Sequence, residues 1–463
     1  MNGKHITRLG FTGPDIGLAL AAASLRELAG AEQGDILREL AGVRRNPEAY
    51  QGSVYAALAD SLSRQQEIRA ADELRGQALA YPVYGRDLIE QGALDQMDIA
   101  MRLPVSRAGA LMPDAHPGYG LPIGGVLATE KAVIPYGVGV DIGCSMRLSV
   151  YPVRPSRLDT REAVSLLQKH TRFGAGVGWE GREQRGHEVL DDPTWRAQGL
   201  LRQLRDKAAN QLGTSGSGNH FAEFGTFSLD RPELGLEAGE YLALLSHSGS
   251  RGFGAQVAGH FTRLAEGLHR GLDPSARKLA WLDLDIQEGQ DYWTAMNLAG
   301  RYALANHEQI HDRIGRALSE TPALSVWNSH NLAWKQQVDG RELIVHRKGA
   351  TPAAAGQLGL IPGSMADPAF LVRGRGERGA LESASHGAGR RLGRKAAGRS
   401  IAQADWKAYL EERGVTLLGG GIDEAPQAYK RVEEVLAAQS GLVEVLGRFQ
   451  PRVVRMDSGY EDI

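Results

Sequence analysis

Glycine constrains this chain more than any other residue. It fills 59 of 463 positions, about 13% where roughly 7% is usual. These glycines form no low-complexity runs. They stand singly or in pairs beside His, Ser, Asn and Asp, marking places where backbone turns sharply or approaches a ligand closely. Between such turns, from Met101 onward, short apolar segments read as strands at 124–129, 146–151, 241–246, 342–346 and 453–456. Helical spacing is expected at 194–212, 255–271, 291–319, 401–413 and 424–439. Strands and helices do not alternate regularly, so the expected fold is α+β with mixed or antiparallel sheets. The first stretch is different. Residues 15–28 are Ala/Leu-rich, with Pro14 before them and Gly30 after, and 47–73 read as helix with a break near Gly52. The expectation is a mainly helical N-terminal region, 1–95, followed by a region 96–463 that holds all the chemistry-bearing motifs.

Charge narrows the partners. Fifty-three basic and 55 acidic side chains leave a formal net charge of −2, which excludes a generally basic coat for nucleic acid but allows a local groove. Such a groove has a candidate. Residues 341–400 hold eleven Lys and Arg against four acidic residues, interleaved with glycine turns and with His346 and His386. Arg347, Lys348, Arg390 and Arg394 are the residues expected to meet phosphates. The single cysteine excludes an intramolecular disulfide framework and fits a reducing compartment. No apolar run reaches the roughly 20 residues that span a bilayer, and the N-terminus lacks a basic-then-apolar signal pattern. A soluble, cytoplasmic protein is expected.

Four short segments carry metal-type ligands: Val140–Cys144, Gly216–His220 and Ser246–Gly252, each beside glycine, and Asn328–Asn331. Cys144 follows Asp141 by three residues, close enough for both side chains to reach one small site from a turn. A thiolate, a carboxylate and imidazoles together suit Mn²⁺, Zn²⁺, Co²⁺ or Fe²⁺. The carboxylate argues against a purely structural zinc site, and five ligands exceed one tetrahedral ion, so two ions sharing a ligand are expected. Taken singly, a buried cysteine or a hydrogen-bonded histidine is ordinary. Four such segments together favour a metal centre.

Small-residue loops at 213–218 (GTSGSG), 248–252 and 362–365 offer backbone N–H groups to phosphate oxygens. None has the Walker pattern, so a P-loop ATPase is not supported. In Ser385-His386-Gly387-Ala388-Gly389-Arg390 a histidine lies between a hydroxyl and a flexible turn. Residue types alone leave it open as a base, a ligand or a nucleophile toward phosphorus.

The run PDAHPGYGLPIGG (113–125) resembles the signature of the RtcB-type RNA ligases, in their bacterial branch. So do GVDIGC (139–144), GSGNHFAE (216–223), HSGSRG (247–252), SHN (329–331), VHRKGAT (345–351), IPGSM (361–365), SHGAGR (385–390) and DEAPQAYK (423–430). These nine motifs keep the family's order. The resemblance implies a GTP- and Mn²⁺-dependent ligase that joins an RNA 3′-phosphate or 2′,3′-cyclic phosphate to a 5′-hydroxyl. It implies His386 as nucleophile toward GTP, and two Mn²⁺ held by Asp141, Cys144, His220, His247 and His330, with Cys144 shared. It further implies GMP contacts at Asn219, Glu223, Asn331, Pro362, Gly363, Ser364, Met365, Gly387, Ala388, Gly389 and Tyr429. Three positions depart from the pattern: Arg455 stands for a guanine-contacting lysine, Pro352 for an arginine and Ala369 for a serine. The competing readings are a metal-dependent cyclic phosphodiesterase that does not ligate, and a non-catalytic RNA-binding accessory module. The physiological RNA and any activating protein partner are not written in the sequence.

Overall fold

Hydrophobic spacing at the N-terminal end builds helices around a core of their own. A computed structural model describes residues 1–11 and 14–458, without the side chains of residues 64–70. The chain divides into two compact units, Met1–Leu74 with His269–Asp273, and Arg75–Leu268 with the residues from Pro274 onward. In the first, helices Gly3–Arg8, Pro14–Leu28, Gln33–Arg45 and Ala56–Ala71 bury Ile6, Phe11, Ala19, Ala23, Ile36, Leu40, Val43 and Leu58. The interruption around Gly52 follows a 3-10 turn at Pro47–Tyr50. Residues 75–95 lie with the larger unit.

The larger unit is α+β and its two main sheets are antiparallel in all but one pairing. One sheet has four strands in the order β1 (Ser106–His116), β2 (Ile123–Thr129), β8 (Arg341–Lys348) and β7 (Asn331–Val338). The other is built from β3 (Ser145–Val150), β4 (Phe221–Leu229), β5 (Gly239–Ser248), β6 (Leu324–Ser329), β9 (Leu358–Pro362), β10 (Ala369–Gly374), β11 (Thr416–Leu418) and β12 (Val443–Met456). Its order is β9-β10-β12-β4-β5-β3-β6, with β11 added in parallel to β12. Met146, Leu148, Phe227, Leu245, Leu371 and Phe449 form part of its core. A 32-residue helix, Gln287–Leu318, crosses this unit and buries most of its length.

Five expected strands and four of five expected helices form, with shifted ends. Residues 424–439 differ. Only Val432–Ala437 is α-helical there, preceded by 3-10 turns at Ile422–Glu424 and Pro426–Ala428. Proline has no N–H to donate and drives its predecessor out of the helical region; Ala425 accordingly has ψ 147°. The extended chain that results carries Glu424 and Tyr429 to the rim of the site.

Candidate active site

Four neighbouring strand ends bring the metal-type residues together. In the order β4-β5-β3-β6 the strands alternate in direction, so the start of one lies beside the end of the next. His220 directly precedes β4, His247 is near the end of β5, Cys144 directly precedes β3, and His330 directly follows β6. Register fixes the match: Ser145 pairs with both Ser248 and Ser329, and Phe221 with His247. Gly143 lets Asp141 and Cys144 turn into the same space. Its φ is +74°, and a Cβ there would press within 3.0–3.1 Å of Ala303 and Gly300 on the long helix.

Two donor sets result, and they share one atom. Cys144 Sγ lies 3.1 Å from His247 Nε2, which is 3.3 Å from His330 Nε2. On the other side Sγ lies 3.4 Å from His220 Nε2, which is 3.0 Å from Asp141 Oδ2. Donors about 2.0–2.3 Å from one tetrahedral ion lie roughly 3.3–3.8 Å apart. The separations of 3.3 and 3.4 Å lie in that range and those of 3.0 and 3.1 Å fall about 0.2–0.3 Å short of it, so a small outward shift would let each set hold a cation and share the thiolate. At His220 the Gly216 N–H donates to Nδ1 at 3.2 Å, so in the metal-free protein Nε2 carries a proton toward Asp141 that a cation would displace. His247 is already in the ligand tautomer. His247 Nδ1 is 3.0 Å from the Asn219 carbonyl, which can only accept, so the proton sits on Nδ1 and Nε2 presents its lone pair. His330 Nδ1 is a buried nitrogen without a partner among the described residues. Burial, reinforced by Asp141, pushes the Cys144 thiol well above its usual range, a cost that a bound cation offsets by taking the thiolate. A divalent ion of the borderline class suits this donor set.

His386 stands beside these donors. Its ring centroid is 5.0 Å from that of His330, and its Nδ1 is 2.7 Å from Asp114 Oδ2. The same oxygen accepts the backbone N–H groups of His386 at 3.1 Å and Gly387 at 3.3 Å. Burial opposes ionisation of Asp114. The hydrogen bond and charge of His386, followed by the charge of Lys430, outweigh it and hold the carboxyl below the usual carboxylate range. Lys430 is anchored on the Pro113 and Ala115 carbonyls that flank Asp114, at 3.1 and 2.8 Å. An ionised Asp114 keeps a proton of His386 on Nδ1 and leaves Nε2 without a hydrogen-bond partner among the described residues. Gly389 makes this possible: its φ is +74°, and a Cβ would lie 2.0 Å from the Asp114 carbonyl oxygen.

A cavity of about 290 Å³ opens over these groups. Its lining includes Asn219, His247, His330, His386, Pro362 to Met365, Gly387 to Gly389 and Tyr429. Phosphate-compatible features surround it: the Gly-Ala-Gly turn, the Pro-Gly-Ser-Met loop, Arg390 and Arg394. The RtcB family model, described as tRNA-splicing ligase RtcB, matches residues 96–196 and 176–457. The chain belongs to the RtcB family. Among its relatives, the RNA-splicing ligase RtcB of Escherichia coli (strain K12) is 33% identical over 389 residues, 77% of this chain and 92% of the relative. The RNA-splicing ligase RtcB of Mycobacterium tuberculosis is 33% identical over 430 residues, covering 77% and 98%. The tRNA-splicing ligase RtcB of Thermococcus kodakarensis is 31% identical over 441 residues, covering 78% and 89%.

Three of the expected nucleotide contacts, Asn331, Glu223 and Arg455, are not among the residues lining the cavity of this RtcB-family chain. Asn331 bridges two loops, with its amide nitrogen 3.3 Å from the Asp141 carbonyl and its oxygen 2.8 Å from Gly349 N. Glu223 is buried on β4, on the face of Phe221 and one pleat deeper, and burial alone pushes its carboxyl well above the usual range. Arg455 lies on the opposite face of β12 from Val454 and Met456, because side chains alternate along a strand. There it donates to the Leu167 carbonyl at 2.6 Å and to Thr171 Oγ1 at 3.1 Å.

The basic segment also needs correction. Arg347 is buried, donating to Ser383 Oγ and the Leu381 carbonyl, both at 2.8 Å. Lys348 is buried too, held by the Tyr119 and Tyr136 carbonyls, and burial lowers it to about 7. Both lie on β8, an inner strand between β2 and β7, and cannot face a surface groove. Arg390 pairs with Glu424 at 2.9 Å, and Arg394 with Asp423 at 2.7 Å and with Glu424. Arg391, Lys395 and Arg399 remain exposed. Sequence reasoning gave no role to Asp114 or Glu424. A carboxylate inside the apolar run Ala-Leu-Met-Pro-Asp-Ala was the available signal, since a buried charge requires a partner.

Proposed function

We propose that this protein is a GTP- and Mn²⁺-dependent RNA ligase, joining RNA 3′-phosphate or 2′,3′-cyclic phosphate ends to 5′-hydroxyl ends through a covalent His386–GMP. The observation that carries this reading is the His386–Asp114 pair beside the shared-thiolate donor sets. Opening a cyclic phosphate needs only water and metal, so an oriented imidazole with a free Nε2 is surplus to a phosphodiesterase and has no use in a passive RNA-binding module. The larger unit carries this chemistry, in a cytoplasmic setting that keeps Cys144 reduced.

The residues divide the work as follows. His386 Nε2 attacks the α-phosphorus of GTP, forming the N–P bond as pyrophosphate leaves, while Asp114 compensates the positive charge that develops on the ring. An RNA 3′-phosphate oxygen then takes the GMP from His386, giving RNA(3′)pp(5′)G and regenerating the neutral imidazole. Finally the 5′-hydroxyl attacks the 3′-phosphorus and expels GMP, a far better leaving group than the oxide a free 3′-phosphate would have to lose. Asp141, Cys144, His220, His247 and His330 would hold Mn²⁺, which would supply neutralisation of phosphate charge and alignment of the reacting oxygens. The backbone N–H groups of Gly389, Ser364 and Met365 suit the nucleotide phosphate, those of Gly387, Ala388 and Gly363 being taken by Asp114, Pro362 and Pro368, and Tyr429 suits the base.

Incubation with α-labelled GTP and Mn²⁺, followed by a denaturing gel and a joining assay on matched RNA ends, tests the reading. A labelled protein band with joined RNA is expected; cyclic-phosphate opening without either would establish the phosphodiesterase instead. Asp114→Asn should cut the rate of enzyme–GMP formation by about 10²–10⁴-fold, because the charge that fixes the tautomer is lost. Its apparent KM for GTP should stay near the parent's, and single-turnover labelling at saturating GTP measures both. An unchanged rate would remove Asp114 from the mechanism. For the exposed cations, a Lys395→Ala/Arg399→Ala protein should bind single-stranded RNA with a salt dependence flatter by about 0.7 in log–log slope per lost phosphate contact. Fluorescence titrations across salt concentrations give that slope; no change would place the RNA elsewhere.

A further inference from the structure

Behind the donor sets, on the long helix, lie two buried histidines that the ligation chemistry does not use. His307 Nε2 is 3.0 Å from the Ser145 carbonyl and 3.2 Å from the Ser248 carbonyl. Carbonyls only accept, so Nε2 carries the proton and donates to both. Burial lowers His307 to about 3, so the ring is neutral and its Nδ1 is a bare acceptor. Ser246 Oγ, 2.7 Å away, must donate to it. Having given its only proton, Ser246 Oγ must accept from His311 Nε2 at 2.8 Å. His311 Nδ1 then accepts from Ser149 Oγ at 2.8 Å, and Ser149 is 3.4 Å from Ser325 Oγ. Every proton has one solution, from the strand-end carbonyls outward to Ser325. That last hydroxyl is exposed, in a cavity of about 320 Å³ that also contains Arg147 and His311.

The inner end of this chain has a particular address. Ser145 follows Cys144, Ser248 follows His247, and the two serines are register partners on β3 and β5. One N–H therefore clasps the ends of both strands just where they deliver Cys144 and His247, whose ligand atoms are 3.1 Å apart.

We propose that His307, oriented by Ser246 and His311, is a positioning residue of the metal centre: its bridging N–H sets the spacing of Cys144 and His247 and prepares the site to take a divalent cation. This rests on the metal-binding part of the function proposed above. Outer hydrogen-bonding partners of metal ligands commonly change affinity by about 10–100-fold when removed.

The test is a Co²⁺ titration of the full-length protein, read by the thiolate-to-cobalt charge-transfer absorption, with melting of the metal-free protein measured in parallel. His307→Met fills a similar volume with neither donor nor acceptor, and its titration midpoint should rise by about 10–100-fold with a weakened or displaced band. His307→Gln can donate to a carbonyl and accept from Ser246, so it should recover a midpoint close to the parent's. Ser246→Ala, which removes one hydroxyl and is the gentler change should His307→Met fail to fold, should move the midpoint the same way. A purely structural role lowers the melting temperature and leaves midpoint and band unchanged in the folded variants, and that result overturns the inference. Absence of any charge-transfer band in the parent would instead defeat the metal assignment itself.

Discussion

His386→Ala protein incubated with α-labelled GTP and Mn²⁺ should carry no label on a denaturing gel, whereas the parent should be labelled. Of the other histidines lining the cavity, His247 and His330 point Nε2 at Cys144 and at each other. His116 has its Nδ1 on a backbone carbonyl, with no carboxylate among the described residues hydrogen-bonded to its ring to compensate the charge that attack on phosphorus creates. The variant should keep its metal, since His386 belongs to neither donor set. It should also join RNA whose 3′ end already carries GMP, because that step needs no nucleophile from the protein. Loss of bound Mn²⁺, or failure on the pre-activated substrate by a folded variant, would assign His386 a different role.

Cys144→Ala should lose both ions together, and with them guanylylation and joining. Sγ is the one atom common to the two donor sets. Without it each falls to two donors, His247 with His330 and Asp141 with His220, and a methyl group supplies nothing in its place. Equilibrium dialysis against Mn²⁺ counts the ions, and circular dichroism checks that the fold persists. The parent's affinity should also climb by about tenfold per pH unit while the thiol remains protonated, because binding must expel that proton. A variant that still holds two ions and joins RNA would show that the thiolate is not shared.

How much of this was readable beforehand depended on distance along the chain. Asp141, Cys144, His220 and His247 were visible because each sits in a short Gly-flanked segment, and His330 because it stands between Ser329 and Asn331; local turn chemistry is written locally. That they meet at one sheet edge was not visible, because it follows from the order β4-β5-β3-β6, which pairs residues up to 185 positions apart, as Ser329 Oγ reaches the Cys144 carbonyl. Asp114 escaped notice for the same reason, lying 272 residues from the histidine it orients. Charge counting misled at Arg347 and Lys348, where a basic pair reads as surface until the inner place of β8 is known. Proline chemistry was legible too: Pro426 bars Ala425 from the helical region, so the helix expected over 424–439 cannot run unbroken from Glu424.

The alternation of strand starts and strand ends beneath the donor sets has a consequence for the order in which the molecule is made. No pair of ligands from different strands can meet until at least two strands have paired in register, and a slip of one residue would send a side chain to the wrong face. The centre is thus a late product of folding and cannot act as its nucleus, unlike small domains in which the ion gathers a disordered chain. An ion arriving early would meet only scattered, competing donors. On the proposed function, selectivity among metals would then fall to a frame that is folded before it is loaded.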